Sequence, residues 1–506
     1  MSPRVLRWLS NVERLGNKLP DPALLFVLFM GLVWLLSAVL AHVQFDVVDP
    51  RTKAPLVVNS LLSPAALVTT FTELVRVFTG FQPLGVVLVV MLGAGVAEHA
   101  GLVQAVLKGL LAVTPSRALV PMVAVVGVLS HTAADAGFVV VIPLAGVVFH
   151  AAGRHPLAGI ALAFAAVSGG FSASFVPNAL DPLLQGFTQS AAQLIDPDYL
   201  VNPLCGYFFT ASSAVLVVGA CWWVTEKVVE PRLAGTLVDG DLSEAPRFEA
   251  LSAQERRGLW AAGLVLAALG VAVVAAVWPH DSVLRAADGA LTSAKAPLMQ
   301  GVVTLLFLGF LLPGLAYGRV AGTLRSHRDV VRAMSSAMGT MSTYLVMAFF
   351  AALFIDAFGR SNLGALLAME GAEALRSLAM PAPVTLLALV GATMLVDLLV
   401  GSASAKWALL APVFVPMLMQ LGLAPELTQT AYRVGDSVTN IVTPLMPYFP
   451  LIVVYCQRYV RGAGIGTVLS MMIPYSLVLT TTWVGWLLLY WALGLPLGLG
   501  GAYHYP

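Results

Sequence analysis

The sequence predicts an all-α polytopic membrane protein, with about nine transmembrane helices and two re-entrant helical hairpins in an inverted repeat. Three observations predict it. Charged residues make up only 10% of the 506 positions against 59% hydrophobic, and the mean hydropathy is +0.88. Apolar runs of about 20 residues, the length that crosses a hydrocarbon core, recur along the chain. Two stretches rich in Gly, Ser and Pro interrupt these runs at matching places in the two halves. A soluble domain carries roughly 25% charged residues, and a disordered chain needs low hydrophobicity, so both classes are excluded. The 27 basic and 26 acidic residues balance, leaving no overall field to gather nucleic acid.

The elements follow in order. Arg4, Arg7, Arg14 and Lys18 precede the first apolar run, Leu24–Leu40, which reads as an uncleaved span. A more polar stretch runs from Gln44 to Ser63. Apolar runs resume at Pro83–Val96, Ala118–Phe149 and Leu157–Val167. The first broken region, Ser168–Pro182, reads SGGFSASFVPNALDP, a composition tolerated at membrane depth only where protein or water covers the backbone. Leu204–Val224 is a span, and Glu226–Arg257 is a charged loop with short helical ends. Leu259–Trp278, Pro297–Ala316 and Met334–Phe358 span again. Leu363–Met380 is an amphipathic helix, and Val384–Val400 is apolar apart from Asp397. The second broken region opens at Gly401, and Met471–Leu493 is the last span. Cys205, Cys221 and Cys456 sit in apolar stretches without C-x-x-C pairing and read as small buried hydrophobes.

Basic residues in short loops set orientation. The head, the loop Arg319–Arg332 and the pair Arg458 and Arg461 carry them, whereas residues 462–506 hold no charged residue. This predicts a cytoplasmic N-terminus and a C-terminus outside. The expected organisation is 1–155 N-terminal spans, 156–225 first hairpin and repeat core, and 226–258 a cytoplasmic charged loop. Residues 259–380 then form scaffold spans, 381–460 the second hairpin and core, and 461–506 the last span.

The two broken regions resemble each other. Ser172-Ala173-Ser174 matches Ser402-Ala403-Ser404, Asp198 and Asn202 match Asp436 and Asn440, and Pro203–Phe208 matches Pro444–Phe449. Small-residue packing between helices would give a similar composition, but it explains the recurring Asp and Asn less well. Ionisable residues at membrane depth point to function. Arg433, Asp436 and Asn440 share a helical face at i,i+3 and i,i+4 spacing. Arg433 suits a carboxylate, or pairs with Asp436 to hold the fold. Trp407 suits an aromatic ring. The hydroxyls of Ser172, Ser174, Ser402 and Ser404, with the amides of Asn202 and Asn440, suit Na⁺. Asp181 reads as a proton or cation carrier, or as a helix cap before Pro182. His131 and Asp135, also i,i+4, read as a proton relay or as a self-satisfied pair.

The segments Glu13–Pro22, Ser130–Gly137, Gly401–Met417 and Glu426–Leu451 resemble the p-aminobenzoyl-glutamate transporter family, AbgT, from near residue 11 to near residue 495. The resemblance implies a dimeric bacterial inner-membrane protein of nine spans and two hairpins with an ion-transporter-superfamily-like fold, its C-terminus in the periplasm and a cavity open to the cytoplasm. It implies a secondary transporter, symporter or antiporter, of p-aminobenzoyl-glutamate or of sulfonamides and related antimetabolites. The family's functional residues fall on Asp181, Trp407, Pro425, Arg433 and Asp436. The expectation is alternating access driven by Na⁺ or H⁺, with no cofactor, no catalysis and no nucleic-acid partner. A channel would want a continuous polar pore, and an intramembrane enzyme a nucleophile or metal motif.

Overall fold

A computed structural model describes residues 21–45, 47, 55–112, 114–133, 137–240 and 251–505. Among these residues the chain is helical, and Leu423 and His504 form an isolated antiparallel bridge. Seven helices among the described residues are long and apolar enough to cross a membrane, and six shorter apolar helices accompany them. The basic head lies outside the described residues.

Local chemistry sets the boundaries. The first span, Pro22–Leu40, starts with Pro at N1, and Asp21 accepts from the Ala23 amide at 2.8 Å. Ser63 caps Pro64–Thr79 in the same way. That helix escapes the apolar-run reading because Thr, Glu73 and Arg76 dilute it, yet it continues into Gln82–His99 to make one long span. Capping boxes of Ser252 with Glu255 and Ser326 with Asp329 start Ala253–Val277 and His327–Thr340. The sequence reading joined this second helix to the span Ser342–Arg360; the structure separates them at Met341. Gln82–His99 packs tightly on Val302–Ala321. A Cβ at Gly93 would lie 2.4 Å from the Phe307 carbonyl oxygen, so only glycine permits this approach.

The expected breaks are present. Pro156–Phe164 and its π-helical extension Ala165–Gly169 stop before residues 170–179, and Leu180–Ala192 follows. Ala382–Asp397 stops before residues 398–402, and Ala403–Met419 follows. Two further interruptions flank these. One splits the run 118–149 at the 3₁₀ turn Ser130–Ala133, and the other divides Pro425–Thr439 from Phe449–Gln457 at residues 440–448.

The two ends of the bundle differ chemically. At one end Arg154, on the turn before Pro156–Phe164, contacts both oxygens of Glu230, with Nε 2.6 Å from Oε1. These contacts push its guanidinium value above the usual arginine range. Gly240 and Asp239 bond to Tyr459 and Arg461 at 3.0 and 2.9 Å, tying the start of the charged loop to a second basic turn. The C-terminal residues bind a different set of loops. The Leu499 amide donates to Leu204, and the Leu497 carbonyl accepts from Phe209. Ala424 donates to Tyr503, and Tyr505 to Gly422.

Candidate functional site

The helix Pro425–Thr439 is buried at every position although it carries Glu426, Thr428, Gln429, Thr430, Arg433, Asp436, Ser437 and Thr439. A helix this polar is stable in such a place only if its side chains find partners. Both broken regions supply them.

Arg433 Nη1 donates to Asp181 Oδ1 at 2.6 Å, and Nη2 lies 3.4 Å from the Ser172 carbonyl oxygen. Asp181 stands in the first turn of Leu180–Ala192, and its Oδ2 accepts from the Asn178 amide. The carboxylate thus closes a local turn and a long-range pair together. Ser437 Oγ accepts from the Ser172 amide at 3.1 Å and donates to the Arg433 carbonyl. Arg433 Nε and Ser172 Oγ are buried without a hydrogen-bond partner among the described residues.

A second cluster lies on the other side. Lys406 Nζ is 2.6 Å from Asp436 Oδ1 and contacts Asp397 Oδ1 directly. Thr439 donates to Asp397 Oδ2 at 2.5 Å, and the Tyr432 hydroxyl lies 2.6 Å from the Ala403 carbonyl oxygen and 3.1 Å from Asp436 Oδ1, its one proton shared between them. Gly435 allows this closeness: a Cβ there would sit 2.7 Å from the Val390 carbonyl oxygen, so the helices bearing Asp397 and Asp436 touch at their backbones. Arg433 and Asp436 therefore do not pair with each other. Each takes a partner from a different broken region.

Trp407 is fully buried and stacks on Tyr432, with centroids 4.3 Å apart and planes at 27°. Its Nε1–H donates to Thr188 Oγ1 at 2.9 Å, and that hydroxyl lies 2.5 Å from Gln429 Oε1. The inner helices of both broken regions thus meet around the indole. Pro425 opens the polar helix at N1. Next to it the buried carboxylate of Glu426 accepts from Tyr199 OH at 2.9 Å.

The remaining sequence candidates are spread more widely. Ser174 Oγ donates to the Val176 carbonyl. Ser402 caps its helix, 3.3 Å from Ser404 Oγ. Asn202 joins loop backbone at Thr292 and Leu204, and Asn440 is the C-cap of the polar helix. His131 lies in a 3₁₀ turn, Nδ1 3.0 Å from the Ala173 carbonyl and Nε2 2.7 Å from that of Val167. Its described partners are thus backbone groups of the first broken region; Asp135 lies outside the described residues. Among the described residues no group of three or more His, Cys, Asp or Glu is placed to hold a metal ion. Sequence reasoning left Lys406, Asp397, Thr188, Gln429 and Tyr432 unassigned. Charges inside apolar segments were the available signal for the first two; nothing in the sequence marked the others.

Known proteins resemble this chain along nearly its whole length. Residues 7–505 match the model of the AbgT putative transporter family. The p-aminobenzoyl-glutamate transport protein of Escherichia coli K12 is 33% identical over 489 residues, covering 97% of this chain and 95% of that one. The solved YdaH transporter of Alcanivorax borkumensis, described as having an unusual topology, is 46% identical with a TM-score of 0.89, covering 95% of this chain and 100% of that one. Neisseria gonorrhoeae MtrF, described within a class of antimetabolite efflux pumps, is 43% identical with a TM-score of 0.92 over 98% of this chain and 100% of that one.

Proposed function

The chain belongs to the AbgT family of transporters, and we propose that it is an ion-coupled secondary transporter of p-aminobenzoyl-glutamate or related aryl-amine antimetabolites such as sulfonamides. The observation that carries this reading is the buried Arg433–Asp181 pair, which joins the first broken region to the polar helix that follows the second, through a guanidinium whose Nε has no partner among the described residues. A planar guanidinium matches a carboxylate in two parallel hydrogen bonds, so a cargo glutamate group competes with Asp181 for Arg433. Ser172 Oγ is a further polar group close to that position. The Trp407–Tyr432 stack is the aromatic surface nearest in kind to an aryl amine. It is closed off here, so contact with cargo requires the Ala403–Met419 helix to shift, as alternating access supplies.

The same reading takes Na⁺ or H⁺ as the driving ion and places the protein in the bacterial inner membrane as a homodimer, with its N-terminus cytoplasmic and its C-terminus periplasmic. Support for the orientation comes from basic turns sharing one end of the bundle while the C-terminal residues bind other loops. Support for the dimer comes from family membership.

The experiment is flux of labelled p-aminobenzoyl-glutamate and of a sulfonamide in proteoliposomes, under separate Na⁺ and pH gradients. Arg433→Ala should lose the dicarboxylate cargo by far more than the sulfonamide, which has no carboxylate. Equal loss of both would sink the assignment of Arg433, and no flux of either under any gradient would sink the cargo.

A further inference from the structure

We propose that the Lys406 ammonium is a resident cation of this site, filling the position between Asp397 and Asp436 that a freely exchanging alkali cation would need. Lys406 and Asp397 are 0% exposed and Asp436 1%. The three come from three elements: Asp397 ends one arm of the second broken region, Lys406 lies in the first turn of the other arm, and Asp436 stands on the polar helix. An ammonium is a compact point charge with three donors. It satisfies one oxygen of each carboxylate. Thr439 holds the second Asp397 oxygen, and Tyr432 adds a bond to Asp436.

The charge count separates this cluster from an ordinary structural pair. Arg433 and Asp181 match one to one. Lys406 faces two carboxylates, an arrangement that stability alone does not favour, because burying an unmatched charge is costly. Two buried carboxylates converging on one cation describe a cation site, and here the cation is covalently attached. An alkali ion reaches both carboxylates only by displacing Lys406, and that displacement releases the arm carrying Trp407. The inference rests on the transport reading for its purpose, but not for its test.

The test is thermal unfolding of the purified full-length chain in detergent, in NaCl against choline chloride at equal ionic strength and fixed pH. Removing the ammonium with Lys406→Gln exposes the paired carboxylates, so Na⁺ should raise its Tm by roughly 5 °C more than it raises the wild-type Tm, as a ligand of the folded state does. Asp397→Asn/Lys406→Gln, with one carboxylate left, should lose that excess. An equal Na⁺ effect in wild type and Lys406→Gln overturns the proposal. If Lys406→Gln folds in neither salt, Asp397→Asn decides. A Na⁺ effect the same as in wild type supports the resident ammonium, and one present in wild type but lost in Asp397→Asn overturns it. No cargo enters this assay, so failure of the transport reading shows only in the flux experiment.

Discussion

Asp181 and Arg433, 252 positions apart in the chain, meet with Oδ1 and Nη1 2.6 Å apart, and both side chains are at most 5% exposed. The contact joins the inner helix of the first broken region to the polar helix that follows the second. Each group is thereby the condition for burying the other.

Breaking the pair from either side should therefore be worse than removing it. Asp181→Asn or Arg433→Gln alone leaves an uncompensated buried charge and should destabilise by about 3–5 kcal/mol. The double substitution should recover part of that loss while cargo flux stays abolished. Chemical unfolding of the four proteins in one detergent reads the coupling. Additive losses would show that the two groups do not depend on each other.

Trp407 should separate into two contributions. Trp407→Phe keeps most of the stack on Tyr432 but loses the indole bond to Thr188, at about 1–2 kcal/mol. Trp407→Ala also opens a cavity among buried side chains, at about 3–5 kcal/mol. Unfolding midpoints give the order, and near-equal losses would place the whole effect in the hydrogen bond.

Much of this was legible in the sequence because lipid imposes a strict rule on composition. Glycine, serine and proline inside apolar runs marked breaks at Ser168–Pro182 and from Gly401, close to the gaps at residues 170–179 and 398–402, and the shared face of Arg433 and Asp436 marked the polar helix. What the sequence could not give was pairing. Helical spacing puts Arg433 beside Asp436, but a face three residues wide says nothing about what approaches it, and Asp181 and Lys406 arrive from elsewhere. Pro64–Thr79 escaped for a related reason: its apolar residues are spaced rather than continuous, and none is fully buried.

Outside the apolar segments, the Ser326–Asp329 cap should respond to acid. The Ser326 amide, then the Ser326 hydroxyl and the Arg325 amide, hold the Asp329 carboxyl below the usual aspartate value of about 3.9. A carboxyl whose value is lowered by folding contributes stability that is present above its unfolded value and lost as pH falls through its folded value. Hydrogen exchange at the start of His327–Thr340 should therefore show protection at neutral pH that weakens below about pH 4. Asp329→Asn should be less protected at neutral pH and flat across the same range. A wild-type profile as flat as that of the variant would remove the carboxylate from the cap.

Gly435 should be the most sensitive small residue near the site. A Cβ there meets the Val390 carbonyl oxygen at 2.7 Å and the Thr393 Cβ at 2.9 Å, and backbone cannot yield as a flexible side chain does. Gly435→Ala must push the Ala382–Asp397 helix away from the polar helix and lengthen the Thr439–Asp397 and Lys406–Asp397 contacts. Overpacking of this kind costs about 1–3 kcal/mol, and flux should fall further than stability because the displaced helix carries Asp397. Gly391→Ala is the control: it lies on the same helix with nothing within 4 Å of its Cβ. That change should leave flux intact and stabilise the helix slightly, by about 0.5–1 kcal/mol. Comparing unfolding midpoints and flux for both separates helix propensity, which favours alanine at either position, from the close approach, which forbids it at Gly435 alone.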